Sequence, residues 1–276
     1  MKTIRLHSKG PEVTTLCEIL AGIGYPLLVS DIFTTAVDEA VKNFQREFNL
    51  VVDGIVGIKT WSRLFEKNSQ LFEHNDKLLS EQDLIGFANE YQVELACIKA
   101  VNEIESSGKG FLIDSRPKIL FEGHIFWQEL ERRNIDPQEY VQPETQDILY
   151  KKWTKKYYQG GSREYDRLDK AAALIPGLDL IDAAHASASW GVFQIMGFNA
   201  IPIGYDSVDS FVCKMYQNER EHLGAFGRFL KTNNLIAALQ NKDWDTFAYR
   251  YNGEGYKANK YDEKLARAYQ KYTTRS

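Results

Sequence analysis

The carboxyl group best placed for chemistry is that of Glu105, where an apolar helical segment runs into the turn-forming residues 106–110 (SSGKG). On a helix that begins near Val93, Glu105 lies at the edge of one apolar stripe. The stripe comprises Cys97, Ala100, Val101 and Ile104. Burial against aliphatic carbons raises the pKa of a carboxyl, which can then hold its proton near neutral pH and act as a general acid. We therefore predict that Glu105 is catalytic; the alternative is a solvated residue at a helix end.

Two further segments place polar groups among apolar and aromatic residues. The run at 187–199 (SASWGVFQIMGFN) isolates Gln194, and the run at 247–256 (FAYRYNGEGY) ends a predicted helix at Tyr251 and Asn252. A polar side chain in such a setting either satisfies buried backbone groups or faces a cleft. Hydroxyl and amide groups beside aromatic walls suit the binding of an N-acetylated sugar.

The composition is that of an ordinary globular protein and disfavours several classes of function. The 276 residues are 43% hydrophobic and 26% charged, which is enough for two domains that each bury a core. The net charge of −4 argues against nucleic acid as a partner. We interpret the one basic cluster, at 151–156 (KKWTKK), as a solvated face. No run approaches the roughly 18 apolar residues of a membrane span, so we predict no stable membrane association.

The spacing of ligand residues indicates neither a metal nor a cofactor. Cys17, Cys97 and Cys213 are widely separated and form no CxxC pair, and the five histidines form no HxxxH pair. Cys17 and Cys97 fall on apolar faces of predicted helices and should be buried. An amidase or endopeptidase, which generally needs a Cys/His pair or zinc, is disfavoured for the same reason.

Helical periodicity divides the chain into two predicted domains. Residues 1–66 are predicted to form a minimal three-helix module, and the polar residues 67–79 a linker. From a helix capped by Ser80, a larger helical domain occupies 80–276. Apart from a short extended piece near 118–121, no strand pattern stands out, so the predicted fold class is mainly α.

Three short motifs characterise the first domain: FQ at 44–45, DGIVG at 53–57 and TW at 60–61. With them the whole segment resembles the peptidoglycan-binding domain type 1 family. One departure is DIFTT at 31–35, where the family usually has Asp-Gly-x-Phe-Gly. The resemblance implies a module that binds the bacterial wall. Its candidate contact residues are Asp53, Gly54 and Trp61.

Four ordered motifs span the second domain. They are ESSGKGF at 105–111, PKILFEGH at 117–124, ASWGVFQIMGFN at 188–199 and YNG at 251–253. From Ser80 to Tyr272 the chain thereby resembles the N-acetylmuramidase domain of phage-type endolysins, a lysozyme-like group, with Gly123 where a larger residue is common. The resemblance implies a helical lysozyme-like fold with Glu105 as general acid. It implies substrate-binding or acid-orienting roles for Ser106, Gln194, Tyr251 and Asn252.

A second carboxylate would decide how the bond is broken. Glu122, inside the apolar run at 121–126, is interpreted either as a second catalytic group or as a buried ion pair with Arg116 or His124, the pair being favoured. Asp114 is an alternative water-positioning group. Carboxyl separations of about 5–5.5 Å favour retention and about 6.5–9.5 Å inversion, and sequence spacing leaves both open.

The resemblance implies cleavage of the β-1,4 bond between N-acetylmuramic acid and N-acetylglucosamine in peptidoglycan, for lysis of a host cell. Two alternatives stay open. In a lytic transglycosylase the muramoyl 6-hydroxyl attacks internally and gives a 1,6-anhydro product, whereas a wall-binding protein would hold the glycan without cleaving it. We expect a monomer that stays in the cytoplasm, because the N-terminus lacks a signal-peptide core, until a separate holin-like protein releases it to the wall.

Overall fold

A computed structural model describes residues 2–71, 77–105, 110–112, 114–253 and 255–274, the side chains of 69–71 excepted. The chain divides into two compact units. The first comprises Met1–Asp76, Phe111–Arg116 and Gly160–Arg163, and the second comprises Lys77–Gly110, Pro117–Gln159 and Glu164–Ser276. The boundaries at 66 and 79 that we inferred from the sequence stay a prediction.

The first unit contains the three predicted helices. They are α1 (Pro11–Gly22), α2 (Thr35–Glu47) and α3 (Ile58–Leu71). Their apolar faces meet in one core, in which Leu16, Phe44 and Leu64 are fully enclosed. Two isolated β-bridges, Ile4 to Val56 and Lys9 to Ile32, close the ends of the module.

The second unit is built mostly of helices, as predicted. The longer ones are α4 (Glu81–Tyr91), α5 (Leu95–Glu105), α6 (Gly123–Arg132), α7 (Arg163–Ala172), α9 (Val208–Gln217), α10 (Glu219–Thr232), α12 (Trp244–Asn252) and α14 (Tyr261–Thr273). The short ones are α8 (Ile181–Ala186), α11 (Ile236–Gln240), α13 (Tyr256–Asn259) and the 3₁₀ turns Pro137–Tyr140, Pro143–Thr145 and Gly197–Asn199. The Ser80 cap is confirmed, since Ser80 and Asp83 form a complete capping box at the start of α4.

Helix α5 carries Glu105 at its last position and packs against α4 and α14. Its buried face consists of Cys97, Ile98, Ala100 and Val101. At the other side of the helix, Glu103 accepts hydrogen bonds of 2.6 Å from Lys271 and Tyr272 of α14. Near its start, Glu94 accepts one of 2.6 Å from Tyr269 of the same helix. Because both ends of α5 are bonded to α14, the position of Glu105 is fixed by a second helix.

A small antiparallel sheet, which the sequence analysis anticipated only at its first strand, completes the unit. Its order is β1 (Ile119–Phe121), β2 (Ala188–Trp190) and β3 (Ile195–Met196). Ile119 lies opposite Trp190, which lies opposite Ile195, and all three are buried. The strands are two or three residues long, too short for an alternating pattern to be visible in the sequence.

Among the residues described, no helix is both long and apolar enough to cross a bilayer. Cys17 and Cys97 are buried, as predicted, and Cys213 is exposed.

Candidate active site

The carboxyl of Glu105 is part-buried. Among the residues that the structure describes, one side chain is hydrogen-bonded to it. Asn252, the last residue of α12, donates its amide N–H to Glu105 Oε1 over 3.2 Å. Burial raises the pKa of Glu105 to about 7, against the opposing effects of the Asn252 hydrogen bond and the positive charge of Lys264. A carboxyl of this kind is half protonated near neutral pH, so it can donate a proton and take one back. This is the environment that the sequence analysis expected for it.

Tyr251 fixes the helix end that presents Asn252. Its hydroxyl donates to the Phe193 carbonyl over 2.7 Å, and its ring stacks on Phe247 with centroids 5.4 Å apart. Two more rings, of Phe226 and Phe229, meet it edge-on. Burial raises the pKa of Tyr251 well above its ordinary value, so the phenol stays protonated and keeps donating. Tyr251 therefore acts as a support that joins α12 to the 191–194 turn.

The side chain of Gln194 is hydrogen-bonded to the backbone of the 191–194 turn and its neighbours. Its amide N–H donates to the carbonyls of Gly191 at 2.7 Å and Lys118 at 3.2 Å, and its Oε1 accepts from the Ser189 hydroxyl at 2.8 Å. Gln194 holds a left-handed backbone, with φ of 48°, which these three bonds stabilise. The structure thus places Gln194 at a junction of β1 and β2, and its role toward substrate stays a prediction.

Glu219 and His222, which were not predicted from the sequence, bond to the backbone N–H groups of Gly110 and Val192 respectively. Buried Glu219 accepts hydrogen bonds from the backbone N–H of Gly110 at 2.8 Å and of Leu79 at 2.9 Å. Buried His222 donates from Nε2 to the Met215 carbonyl at 2.7 Å and accepts at Nδ1 from Val192 N–H at 3.2 Å. Both lie on α10, among residues that form an ordinary amphipathic helix, so no local pattern could have marked them.

A third residue outside the predictions is Lys118, at the start of β1. By strand alternation it lies on the same sheet face as Leu120, which is opposite Ser189 and then Met196. Burial lowers the pKa of its ammonium group. Within the described part of the chain, this ammonium has no hydrogen-bond or ion-pair partner. A partly desolvated, unpaired cation on the half-open face of the sheet can meet a negative group of a ligand.

Glu122 belongs to a different set of contacts. Its Oε1 accepts the Tyr158 hydroxyl at 2.6 Å, and its Oε2 lies 3.3 Å from His124 Nδ1, although the two atoms are not aligned for a hydrogen bond. Of the two partners named from the sequence, Arg116 and His124, the structure brings His124 close to Glu122. These contacts would form whether or not Glu122 takes part in catalysis, so a catalytic role for it stays a prediction.

The other proposed carboxylate, Asp114, lies in an exposed turn of the first unit. It pairs with Arg116, with Oδ2 2.6 Å from Nη2, and also accepts from the Arg116 backbone N–H. In the structure, Arg116 is therefore paired with Asp114. Ser106, a candidate substrate-binding residue, lies outside the described residues.

In the first unit, the residues taken from the wall-binding resemblance are bonded within the module. Buried Gln45 bonds to Asp53 and Gly54, accepting from both backbone N–H groups at 3.1 and 2.9 Å. Trp61 is buried, and its indole N–H donates to the Lys2 carbonyl at 3.0 Å. Asp53 also lines a groove of about 260 Å³ beside the exposed Ile58. Direct contact of Asp53, Gly54 and Trp61 with the wall stays a prediction.

The second unit thus places a protonatable carboxyl at a helix end, beside an amide from a distant helix. A family model described as N-acetylmuramidase matches residues 94–273, which includes every part of this arrangement. The chain belongs to the N-acetylmuramidase family. It is accordingly a glycoside hydrolase that acts on peptidoglycan.

Two further comparisons agree with this assignment. A model described as putative peptidoglycan binding domain matches residues 9–64 of the same muramidase. The crystal structure of the Burkholderia AP3 phage endolysin is 39% identical, with a TM-score of 0.65, over 99% of this chain and 100% of that one. No curated protein matches the chain. A peptidoglycan-binding domain precedes a muramidase domain, which confirms the organisation predicted from the motifs. The alternative prediction of a wall-binding protein without enzyme activity is wrong.

Proposed function

We propose that the muramidase cleaves the β-1,4 bond between N-acetylmuramic acid and N-acetylglucosamine, with Glu105 as the general acid. The observation that carries this proposal is the burial of Glu105, which keeps a fraction of the carboxyl protonated near pH 7. Its proton passes to the glycosidic oxygen as the bond to the muramic acid C1 breaks and positive charge develops on the ring. Water then adds to C1, and its released proton restores the acid.

Asn252 is proposed to hold the carboxyl of Glu105 in place during both proton transfers. Its N–H donor stabilises the ionised form of Glu105 after the proton has left, which is the form that burial disfavours. Gln194 and Tyr251 are proposed to keep the 191–194 turn in position for the sugar. These are supporting roles, because their own polar atoms are bonded within the protein.

The test is mass spectrometry of fragments released from purified peptidoglycan, before and after borohydride reduction, with Glu105→Gln in parallel. Reducible muramic acid ends support hydrolysis at the proposed bond, and Glu105→Gln should remove nearly all turnover while leaving binding intact. Anhydro-muramic ends that resist reduction would establish a lytic transglycosylase instead. Reducible glucosamine ends, or cut peptides on intact glycan, would contradict the proposed bond.

We propose that the enzyme serves as an endolysin in host lysis, by analogy with the phage protein that it resembles. It would remain in the cytoplasm of the producing cell as a monomer until a separate holin-like protein opens the membrane. Enzyme release measured in producing cells that lack a holin tests this, and unaided secretion would contradict it. Light scattering of the purified chain tests the monomer.

The N-terminal module is proposed to tether the enzyme to its polymer. A second contact raises the local enzyme concentration on the wall without new chemistry. Deletion of residues 1–66 should then weaken binding to whole peptidoglycan more than it slows cleavage of short soluble fragments. An equal loss in both assays would argue against a purely targeting role.

A further inference from the structure

The basic cluster at 151–156 lies in a segment that also presents aromatic rings. We name the segment 151–158 the aromatic–basic platform. It contains four lysines, one tryptophan and two tyrosines: Lys151, Lys152, Lys155, Lys156, Trp153, Tyr157 and Tyr158. The side chain of Trp153 is 56% exposed, an unusual state for the largest apolar side chain. An exposed indole of this kind commonly marks a contact surface.

The four lysines carry charge that the protein leaves uncompensated. All four are exposed, and none forms an ion pair with any residue that the structure describes. Three of the ammonium groups lie near ring faces: Lys151 Nζ is 5.9 Å from the Trp127 centroid, Lys155 Nζ 5.7 Å from that of Trp153, and Lys156 Nζ 4.9 Å from that of Tyr157. In a chain with a net charge of −4, four cations within six residues form a local positive surface.

The orientation of Trp153 is set by a relay of side chains behind it. Its indole N–H donates to the Tyr158 hydroxyl at 3.1 Å, and that hydroxyl donates to Glu122 Oε1 at 2.6 Å. Burial and the Glu122 hydrogen bond raise the pKa of Tyr158, so the phenol keeps its proton for this bond. An exposed ring that is held by its polar edge presents its flat face without having to be ordered on binding.

The base of the platform is clamped to the start of α6. The Tyr150 hydroxyl accepts from the backbone N–H of Gly123 at 3.1 Å. A Cβ at position 123 would lie 2.4 Å from the Tyr150 ring and 2.7 Å from the Ile148 carbonyl oxygen. This close approach explains why position 123 is a glycine. The residue that precedes the platform is therefore packed against the start of α6.

We propose that the aromatic–basic platform is a second binding surface of the catalytic domain for the peptidoglycan strand, with Trp153 stacking on a sugar ring and the lysines meeting stem-peptide carboxylates. A pyranose ring has an apolar C–H face that matches an indole, and the acidic stem peptides of the wall supply negative charge. Peptidoglycan combines both features, whereas a phosphate-rich lipid surface or nucleic acid has no pyranose faces along its backbone. The surface adds a contact beyond the site of cleavage and beyond the N-terminal module.

The decisive experiment is co-sedimentation of the full chain with purified sacculi, in the Glu105→Gln background so that the polymer is not consumed. Trp153→Ala should raise the apparent Kd about 3- to 10-fold. The pair Lys152→Gln/Lys155→Gln should raise it by a similar factor at low salt and have little effect at about 0.5 M salt, where exposed charges are screened. The matched control is Lys214→Gln/Lys231→Gln, which removes the same charge from α9 and α10 and should leave Kd unchanged.

A second measurement separates the platform from the cleft. In the active enzyme, Trp153→Ala should leave the cleavage rate of short soluble fragments unchanged and slow the cleavage of sacculi. Trp153→Phe keeps an aromatic face and should retain most of the binding, which guards against a fold lost through the alanine change.

Unchanged sacculus binding in both the tryptophan and the lysine variants would overturn the proposal. An equal loss on short fragments would place Trp153 in the cleft and would also overturn it. Binding to anionic vesicles or duplex DNA that depends on the lysines, without any effect on sacculi, would assign the surface to another partner. The proposal takes peptidoglycan as the polymer, but the binding assay uses no turnover, so a wrong cleavage chemistry would leave its outcome intact.

Discussion

Asn252 donates a hydrogen bond to Glu105 across 147 positions of sequence, over a distance of 3.2 Å. The two residues end different helices, α12 and α5, and both helices pack against α14. The relationship matters because the two influences on Glu105 have opposite signs. Burial favours the protonated acid, while the amide N–H favours the ionised base, so their balance sets the pH at which the acid loses its proton.

Replacement of Asn252 by leucine should therefore shift the pH dependence of the enzyme as well as slow it. Without the N–H donor, the ionised form of Glu105 loses a stabilising partner and its pKa rises above about 7. The basic limb of kcat/KM should move to higher pH, because the acid stays protonated over a wider range. The measurement is a pH–rate profile on soluble fragments. A basic limb that stays in place or moves to lower pH would contradict the role given to Asn252.

Glu105→Gln should stabilise the fold in a pH-dependent way. The pKa of Glu105 is raised from 4.5 to about 7, so below pH 4.5 the carboxyl is protonated in both folded and unfolded chains and costs nothing. Between those values the unfolded chain ionises first, and the folded state loses stability as pH rises, up to about 2–3 kcal/mol above pH 7. Urea unfolding should show the variant more stable than the wild type at pH 8 and equal to it at pH 4. A stability difference that does not change with pH would contradict the raised pKa.

Glu219 should prove a positioning residue for Gly110, which lies five residues after Glu105 in the sequence. Its two carboxylate oxygens accept from the N–H groups of Gly110 and Leu79, and an amide offers only one acceptor oxygen. Glu219→Gln should leave one buried N–H unpaired and lower the free energy of unfolding by about 1–3 kcal/mol. Glu221→Gln, in the same helical turn but at the surface, is the control and should cost less than about 1 kcal/mol.

A structural role alone would make Glu219→Gln less stable without altering catalysis in the folded fraction. The positioning role predicts in addition that kcat falls at a temperature where the variant is fully folded, with KM for short fragments changed less. Far-UV circular dichroism under the assay conditions establishes the folded fraction. A normal kcat in fully folded Glu219→Gln would limit Glu219 to the stability of the domain.

Several features of the fold are encoded in short stretches of the sequence. The place of Glu105 at the end of an apolar helix was predicted from its own helix, because the apolar stripe and the last turn are encoded within about ten residues. Its raised pKa depends in addition on Asn252 and Lys264, which are distant in sequence, and its catalytic role stays a prediction. The capping box at Ser80 and Asp83 and the three helices of the first unit are equally local. Helical spacing would allow Lys99 to pair with Glu103 one turn later, but Glu103 bonds to Lys271 and Lys99 pairs with Glu81. Glu103 is therefore bonded to a residue of α14 and not to a residue of its own helix.

The supports of the site could not be predicted in the same way. Glu219 and His222 act on residues more than 25 positions away, through backbone N–H groups that carry no sequence signal. Gln194 and Tyr251 were named through a family resemblance, but their bonding partners, the carbonyls of Lys118 and Phe193, depend on the folded chain. The exposure of Trp153 agrees with the interpretation of 151–156 as a solvated face, whereas the bond of its indole N–H to Tyr158 depends on the folded chain.

His222 provides a prediction in the acid range. Burial lowers the pKa of its imidazole from 6.5 to about 4, and the nearby charge of Lys77 acts in the same direction. Above pH 6.5 the ring is neutral in both folded and unfolded chains; as pH falls toward 4 the unfolded chain takes up the proton first, so stability falls by up to about 3 kcal/mol. His222→Gln, which does not titrate, should be less stable than the wild type at pH 7 yet lose less stability between pH 7 and pH 4.

Protonation of His222 should also affect a turn that supports the active site. A protonated Nδ1 cannot accept from Val192 N–H, so the 191–194 turn loses the bond that ties it to α10. That turn also carries Gln194 and receives the Tyr251 hydroxyl at the Phe193 carbonyl. The protection factor of the Val192 amide, which corrects for the slower intrinsic exchange in acid, should therefore fall on the acid side before global unfolding begins. Exchange that tracks only the global unfolding free energy would show that the turn stays closed until the whole domain opens.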